Sequence, residues 1–387
     1  MKARKDKLLF TPGPLTTSAT VKEAMLQDLG SRDIEFIEIV REIRSSLLEL
    51  GGVAGGGYEA VLMQGSGTFA VESIVSSAVP AHGKLLAVIN GAYGERIRQI
   101  AEVLEIPVEV LRYETDTIPQ ALDVEAALGR DARITHVAIV HCETTTGIIN
   151  PVREIGAVVH RNGGVYLVDA MSSFGAIPMN LEEWGIDFLA SSANKCIEGV
   201  PGFAFILARR EPLLACEGQA RSLSLDLFGQ WRGLETNGQF RFTPPTQALL
   251  AFRQALGELK EEGGIKARAA RYRANHKTLV AGMREMGFRE YLRASDQGYI
   301  ITSFHYPDHP RFRFDEFYER LNRKGFVIYP GKLTNAQCFR IGNIGRISPQ
   351  DVRSLLAAIR ETLDEIEITL KTCETLVGTT VAPRHRG

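Results

Sequence analysis

Short apolar runs alternate with stretches of helical periodicity through about the first 250 residues of this 387-residue chain. The runs fall at residues 60–64, 84–89, 107–112, 136–141, 165–169, 188–191 and 203–208. They carry Val, Ile, Leu, Phe and Ala without strict polar alternation. Each therefore predicts a strand buried on both faces. Helical patterns lie between most of them, for example at 68–79, 93–104 and 151–161. Seven such strands predict an α/β fold on a large, mostly parallel sheet covered by helices on both sides. Ligands of such sheets bind at the loops that follow the carboxyl ends of the strands.

The pattern changes after Pro244-Pro245. Residues 247–286 read as long charged helices, interrupted near Gly263-Gly264. Strand-like runs follow at 299–306 and 325–329, with a helix at 314–324. A last helix starts at Ser348-Pro349, with Ser as N-cap and Pro at the first helical position. The expected layout is an N-terminal arm (1–20), a large domain (21–250), a linking helix with a smaller α+β domain (251–370), and a mobile tail (371–387).

Composition narrows the function only by exclusion. A net charge of −1 argues against binding nucleic acid through bulk electrostatics. No apolar run approaches the roughly 18 residues of a membrane helix. The basic N-terminus lacks an apolar segment behind it, so no secretory signal is expected. Five cysteines, at 142, 196, 216, 338 and 373, form no CxxC pair. They predict reduced thiols, a cytoplasmic protein and no zinc cluster.

Candidate chemistry collects at the predicted strand ends. Gln64-Gly65-Ser66-Gly67-Thr68 joins a strand to a helix. Helix N–H groups and the hydroxyls of Ser66 and Thr68 suit a phosphate, although no lysine follows to make a Walker loop. Tyr93, in Asn90-Gly91-Ala92-Tyr93-Gly94-Glu95-Arg96, could stack on a flat heterocycle. Thr144, in His141-Cys142-Glu143-Thr144-Thr145-Thr146-Gly147, could bond a phenolate-type oxygen. Neighbouring strand residues point to opposite faces, so His141, Cys142 and Glu143 make a poor metal site. Asp169 closes an apolar run and needs a cation. Lys195, in Ser191-Ser192-Ala193-Asn194-Lys195-Cys196, is placed to attack an aldehyde. Arg340 lies in an apolar run bounded by glycines, a costly position unless it meets an anion. Each also has a plain structural reading: a strand-to-helix turn, a core tyrosine, a threonine turn, an N-cap, a surface lysine, an internal ion pair. Together they fit one anionic, flat, aldehyde-bearing cofactor and an anionic substrate.

With these motifs in place, the chain resembles the class V, fold-type I aminotransferases that use pyridoxal 5'-phosphate. The resemblance runs from about residue 8 to 363. It also includes Thr11-Pro12-Gly13-Pro14 and Arg221-Ser222-Leu223-Ser224-Leu225-Asp226. It implies that Lys195 forms a Schiff base with the cofactor and moves the proton, and that Asp169 pairs with the pyridine nitrogen. Ser66, Gly67 and Thr68 would hold the phosphate. Tyr93 would stack on the ring, and Thr144 would lie near the phenolic oxygen. Thr243 would reach the phosphate of a neighbouring subunit in a homodimer, and Arg340 would anchor the acidic end of the substrate. The lysine motif and the Arg-Ser-Leu-Ser-Leu-Asp run favour transfer from 2-aminoethylphosphonate to pyruvate, by ping-pong kinetics through pyridoxamine phosphate. Alanine–glyoxylate or serine–pyruvate exchange is the alternative. A desulfurase would need a mobile nucleophilic cysteine, which Cys216 and Cys338 do not resemble.

Overall fold

A computed structural model of the chain describes residues 6–331, 333 and 336–370. The expected tail, 371–387, lies outside the described residues.

The apolar runs form one seven-stranded sheet: β1 (Tyr58–Gln64), β2 (Lys84–Ile89), β3 (Val108–Arg112), β4 (Ile134–Val140), β5 (Val165–Asp169), β6 (Phe188–Ser192) and β7 (Phe203–Arg209). Their spatial order is β1-β7-β6-β5-β4-β2-β3. All neighbouring pairs are parallel except the two that β7 makes, with β1 and with β6. The interior strands β4 to β7 are almost wholly buried, as their uninterrupted apolar character requires.

The helices that cover this sheet include α1 (Ile34–Leu50), α2 (Gly67–Ala78), α3 (Ala92–Val103), α4 (Ala121–Arg130), α5 (Val152–Arg161) and α6 (Leu227–Asn237). Then come α7 (Thr246–Glu261) and α8 (Gly264–Glu285). The break between α7 and α8 falls at Gly263 and Gly264, both at positive φ, where a side chain would be strained.

Beyond α8 a three-stranded antiparallel sheet forms from β8 (Ile301–His305), β9 (Tyr329–Pro330) and β10 (Cys338–Gly342), in the order β8-β10-β9. Helices α9 (Phe314–Arg323) and α10 (Pro349–Glu365) complete it. Ser348 and Asp351 cap α10 reciprocally, and Pro349 opens it, as the sequence predicts. A second hydrophobic core forms here around Phe304, Phe317, Phe339 and Leu355, separate from the core of the large sheet.

The N-terminal arm bridges the two cores. Leu8–Leu9 pairs with Phe326–Val327, and Phe10 is buried in the smaller core. Leu15 joins a third cluster with Cys142, Cys196, Tyr272 and Ile344.

Close packing of α5 gives a test of how tightly the large layer is built. An added Cβ on Gly156 would overlap the carbonyl oxygen of Trp184 and lie 3.1 Å from the Tyr166 ring. In an exposed helix Gly→Ala is worth about 1 kcal/mol of extra stability. Here overpacking dominates, and Gly156→Ala should lose about 1–3 kcal/mol in urea denaturation. A stabilised variant would refute this packing.

Candidate active site

The parallel register brings the predicted loops to one edge of the sheet. Asp169 pairs with Val140 on one side and with Ala190 on the other. The ends of β1, β2, β4, β5 and β6 therefore converge on one cavity of about 240 Å³. Ser66, Gly67, Thr68, Tyr93, Thr144, Asp169 and Lys195 all line it. So do Arg96, Ser192 and Asn194.

Helix α2 points its N-terminus into this space. Its N-cap, Ser66, is extended, and its side chain makes no cap hydrogen bond. The first-turn N–H groups carry the positive end of the helix dipole. Gly67 is held close to Met171: an added Cβ would overlap the Met171 sulfur. A side chain at 67 would therefore displace the Met171 side chain.

Lys195 follows the end of β6 by three residues. Its Nζ donates to the Pro12 carbonyl at 2.7 Å, so the N-terminal arm forms part of its surroundings. Gly13, at φ +107°, packs against the lysine side chain, leaving no room for a Cβ. The loop after Lys195 is braced from below. The Cys196 carbonyl accepts from Arg268 Nη1 at 2.7 Å. Glu198, at φ +69°, is fully buried and accepts from Arg271 Nη2 at 2.8 Å and from Tyr272 Oη at 2.5 Å. Arg271 also reaches the carbonyls of Gly345 and Ile347, just beyond β10. One buried polar cluster thus joins the lysine loop to the small domain.

Asp169 is buried, with 8% exposure. Its Oδ1 accepts from the Met171 N–H at 2.9 Å, and among the described residues no ion pair neutralises it. Burial pushes its carboxyl up to about 6, against the opposing pull of the Met171 N–H, Lys195 and Arg96. Among the described residues no cation forms an ion pair with this acid, although Lys195 and Arg96 both act on it electrostatically.

Tyr93 lies on the first turn of α3. Its N–H and that of Gly94 donate to Glu143 Oε2, at 3.1 and 3.3 Å. Arg96, one turn later, sits over the Tyr93 ring at 5.1 Å and donates to Thr68 Oγ1 at 3.2 Å. It ties the ring wall to the cradle.

Two predicted residues stand apart from the cavity lining. Arg340, on β10, is buried, and it donates to the Pro330 carbonyl (3.0 Å) and to the Thr144 carbonyl (2.9 Å). It therefore adjoins the cavity through Thr144. Burial lowers its pKa, and Tyr93 pulls the other way. Thr243 is exposed in a separate surface hollow with Arg32, Arg241 and Phe242. Its carbonyl accepts from Gln64 Nε2 at 3.4 Å.

Sequence reasoning missed Arg96, Ser192, Asn194 and the bracing residues Glu198, Arg268 and Arg271. Only Arg96 carried a local signal, its i+3 spacing from Tyr93 on one helix face. Among the described residues no cluster of His, Cys, Asp or Glu is placed to hold a metal.

Comparison with known proteins agrees with this architecture. The structure superposes on a ureidoglycine–glyoxylate aminotransferase from Bacillus subtilis with a TM-score of 0.87 at 23% identity, covering 96% of each chain. It superposes on an aspartate aminotransferase from Thermus thermophilus with a TM-score of 0.83 at 23% identity, covering 93% of this chain and 99% of the other. At these identities the likeness concerns the fold alone. In sequence, the chain is 54% identical over 362 residues to a 2-aminoethylphosphonate–pyruvate transaminase of Vibrio vulnificus, covering 93% of this chain and 98% of that one. It is 52% identical to a protein of the same name from Salmonella paratyphi B, over 92% and 97% of the two chains. The family profile for class-V aminotransferases matches residues 18–340, from the N-terminal arm to Arg340 itself. The chain belongs to the class-V aminotransferases.

Proposed function

We propose that this protein moves the amino group of 2-aminoethylphosphonate to pyruvate, giving phosphonoacetaldehyde and L-alanine, with pyridoxal 5'-phosphate held in the cavity. The observation that carries this reading is the meeting of a lysine amine, a buried acid and an open helix N-terminus around one space. The two relatives named for this substrate pair, at 54% and 52% identity, support the choice of amine and keto acid.

The residues fit the group chemically. The Ser66–Thr68 cradle, with Arg96 beside it, suits a phosphate dianion. Among the described residues Asp169 forms no ion pair, and a protonated pyridine nitrogen would supply one. When bound, the cofactor supplies an aldehyde that captures amines and a ring that accepts electron density. The rest falls to the protein. Tyr93 offers an aromatic face to a flat ring. Lys195 Nζ serves as covalent anchor and then as acid and base, moving a proton to and from the amino-bearing carbon of the substrate. Its loop stays braced while its four-carbon stem swings. Arg340, steadied by two carbonyls, receives the phosphonate or the carboxylate.

The proposal extends to assembly and place. Exposed Thr243 and Phe242 suit a contact with a second copy, in a homodimer whose subunits share sites. We assign residues 21–250 to the cofactor-binding domain and 251–370 to the linking helix and smaller domain, although the linking helix α7 packs into the large core through Phe252, Leu256 and Leu259. No described helix is long and apolar enough to cross a membrane, and a cytoplasmic enzyme is our reading.

Three experiments test this function. A panel of amino donors with pyruvate, followed by alanine formation, should rank 2-aminoethylphosphonate first. A faster alanine–glyoxylate or serine–pyruvate exchange would overturn the substrate assignment. Lys195→Ala should abolish turnover and the visible absorbance of the bound cofactor, and wild-type turnover in this variant would sink the mechanism. The third experiment reads Asp169 without the cofactor. An acid whose pKa is raised by folding stabilises the folded chain relatively at low pH, and this advantage disappears as pH rises from about 4 through about 6. The difference corresponds to about 3 kcal/mol. Asp169→Asn should therefore melt at a higher temperature than wild type at pH 8 and lose that advantage at pH 4. A constant difference between the two proteins across this range would contradict the buried, unpaired acid.

A further inference from the structure

Helix α3 starts at a residue that cannot cap it. Its N-cap is Gly91, which has no side chain to satisfy the first-turn N–H groups. Those groups are met instead from the loop after β4. Glu143 Oε2 accepts from the N–H groups of Tyr93 and Gly94. Glu143 Oε1 accepts from the Thr145 N–H at 3.1 Å and from its hydroxyl at 2.5 Å. That hydroxyl in turn accepts from the Ala92 N–H at 3.1 Å. Glu143 has no exposed surface, and an added Cβ on Gly91 would overlap its carboxyl group. The glycine thus makes room for an anion delivered from 50 residues away.

The same loop holds the small domain. The Thr144 carbonyl accepts from Arg340 Nη1, and the Thr145 carbonyl accepts from Ser303 Oγ at 3.2 Å. A shift of Glu143 would move the Tyr93 ring on one side and Arg340 on the other. We propose that Glu143 is a positioning residue that sets the ring-stacking wall and the substrate-binding arginine in one geometry. It does not line the cavity and acts through Tyr93 and Thr144. Burial raises its carboxyl pKa, while the Thr145 hydroxyl and three backbone N–H groups favour its charged form. The helix N-terminus adds to that preference.

The inference rests on the proposed cofactor reading only for what the wall faces, so its test has an arm that needs no cofactor. In the full chain prepared without pyridoxal phosphate, Glu143→Gln replaces one acceptor oxygen by an amide NH2, a donor. Hydrogen exchange at the amides of residues 92–94 should then quicken at least about tenfold relative to wild type. In the reconstituted enzyme the circular dichroism of the visible cofactor band should weaken, and kcat/KM should fall about 100-fold, as expected when reacting groups are misplaced by about an ångström. Gly91→Ala, which crowds the same carboxyl without removing its charge, should show the same signature. Thr145→Val, which removes only the relay to Ala92, should show a smaller one. If Glu143→Gln does not fold, these two variants decide by the same readouts. Variants that lose melting temperature while amide exchange, the cofactor band and the kinetic constants stay at wild-type values would reduce Glu143 to a structural cap and overturn the proposal. A wild-type chain that takes up no cofactor would defeat the functional reading, yet leave the amide-exchange result standing.

Discussion

The pairing of Asp169 with Val140 and with Ala190 is the constraint from which the rest of the site follows. In a parallel sheet all carboxyl ends fall on one edge, and register decides how far each end reaches. A slip of one residue in β5 would turn Asp169 toward the opposite face and place an apolar side chain at the cavity. Such a slip is opposed because it would carry the Asp169 carboxyl from the cavity edge into the apolar layer beside the sheet. The surroundings of β5 thus set the position of the buried acid at the cavity edge.

The lysine needs a different kind of support. A loop carrying a reactive amine must be fixed at its backbone and free at its tip. The buried cluster of Glu198, Arg268, Arg271 and Tyr272 provides the first condition. Glu262 bridges both arginines, at 2.6 and 2.7 Å, so neither cation is left uncompensated in the interior. Removing one member of such a buried set typically costs about 3–5 kcal/mol, since the others stay charged and unpaired. Reaching from Cys196 to Ile347, the cluster also fixes the small domain relative to the lysine. At its tip, Lys195 Nζ meets the Pro12 carbonyl of the N-terminal arm, so the arm shapes the surroundings of the amine.

Much of this was legible along the chain, for physical reasons that differ by residue. Asp169, Lys195 and the Ser66–Thr68 turn stood out because polar residues abruptly ended apolar runs, a local pattern that burial makes costly. The long helical stretch split where Gly263 and Gly264 predicted it would. The antiparallel direction of β7 was not legible, because a buried strand has the same apolar run in either direction. Helix α6 was not recognised either: its two internal glycines weaken the local signal, and it forms with an Asp226 cap, a left-handed Gly238 at its end and packing against β1. Glu143 was in view as part of the threonine-rich run, but its partners lie 50 residues away on another helix. Glu198 and Arg271 were invisible for the same reason. Partnerships set by tertiary distance leave no trace in spacing, and the site depends on several of them.

Charge balance joins these parts. The cavity wall carries two cations, Lys195 and Arg96, and one acid, Asp169, with Glu143 and Arg340 buried just behind it. Without a ligand, Asp169 lies in a low-dielectric setting that favours its neutral form. A ligand that places a cation beside this acid and an anion at the α2 N-terminus would reverse that preference and satisfy both ends at once. The free energy stored in the buried acid would then be released on binding rather than on folding. A dipolar molecule with its charges held a fixed distance apart would meet both needs, whereas a simple anion would meet only the α2 N-terminus. The buried acid therefore bears on which charges the cavity can hold, and its desolvation is the physical basis of that preference.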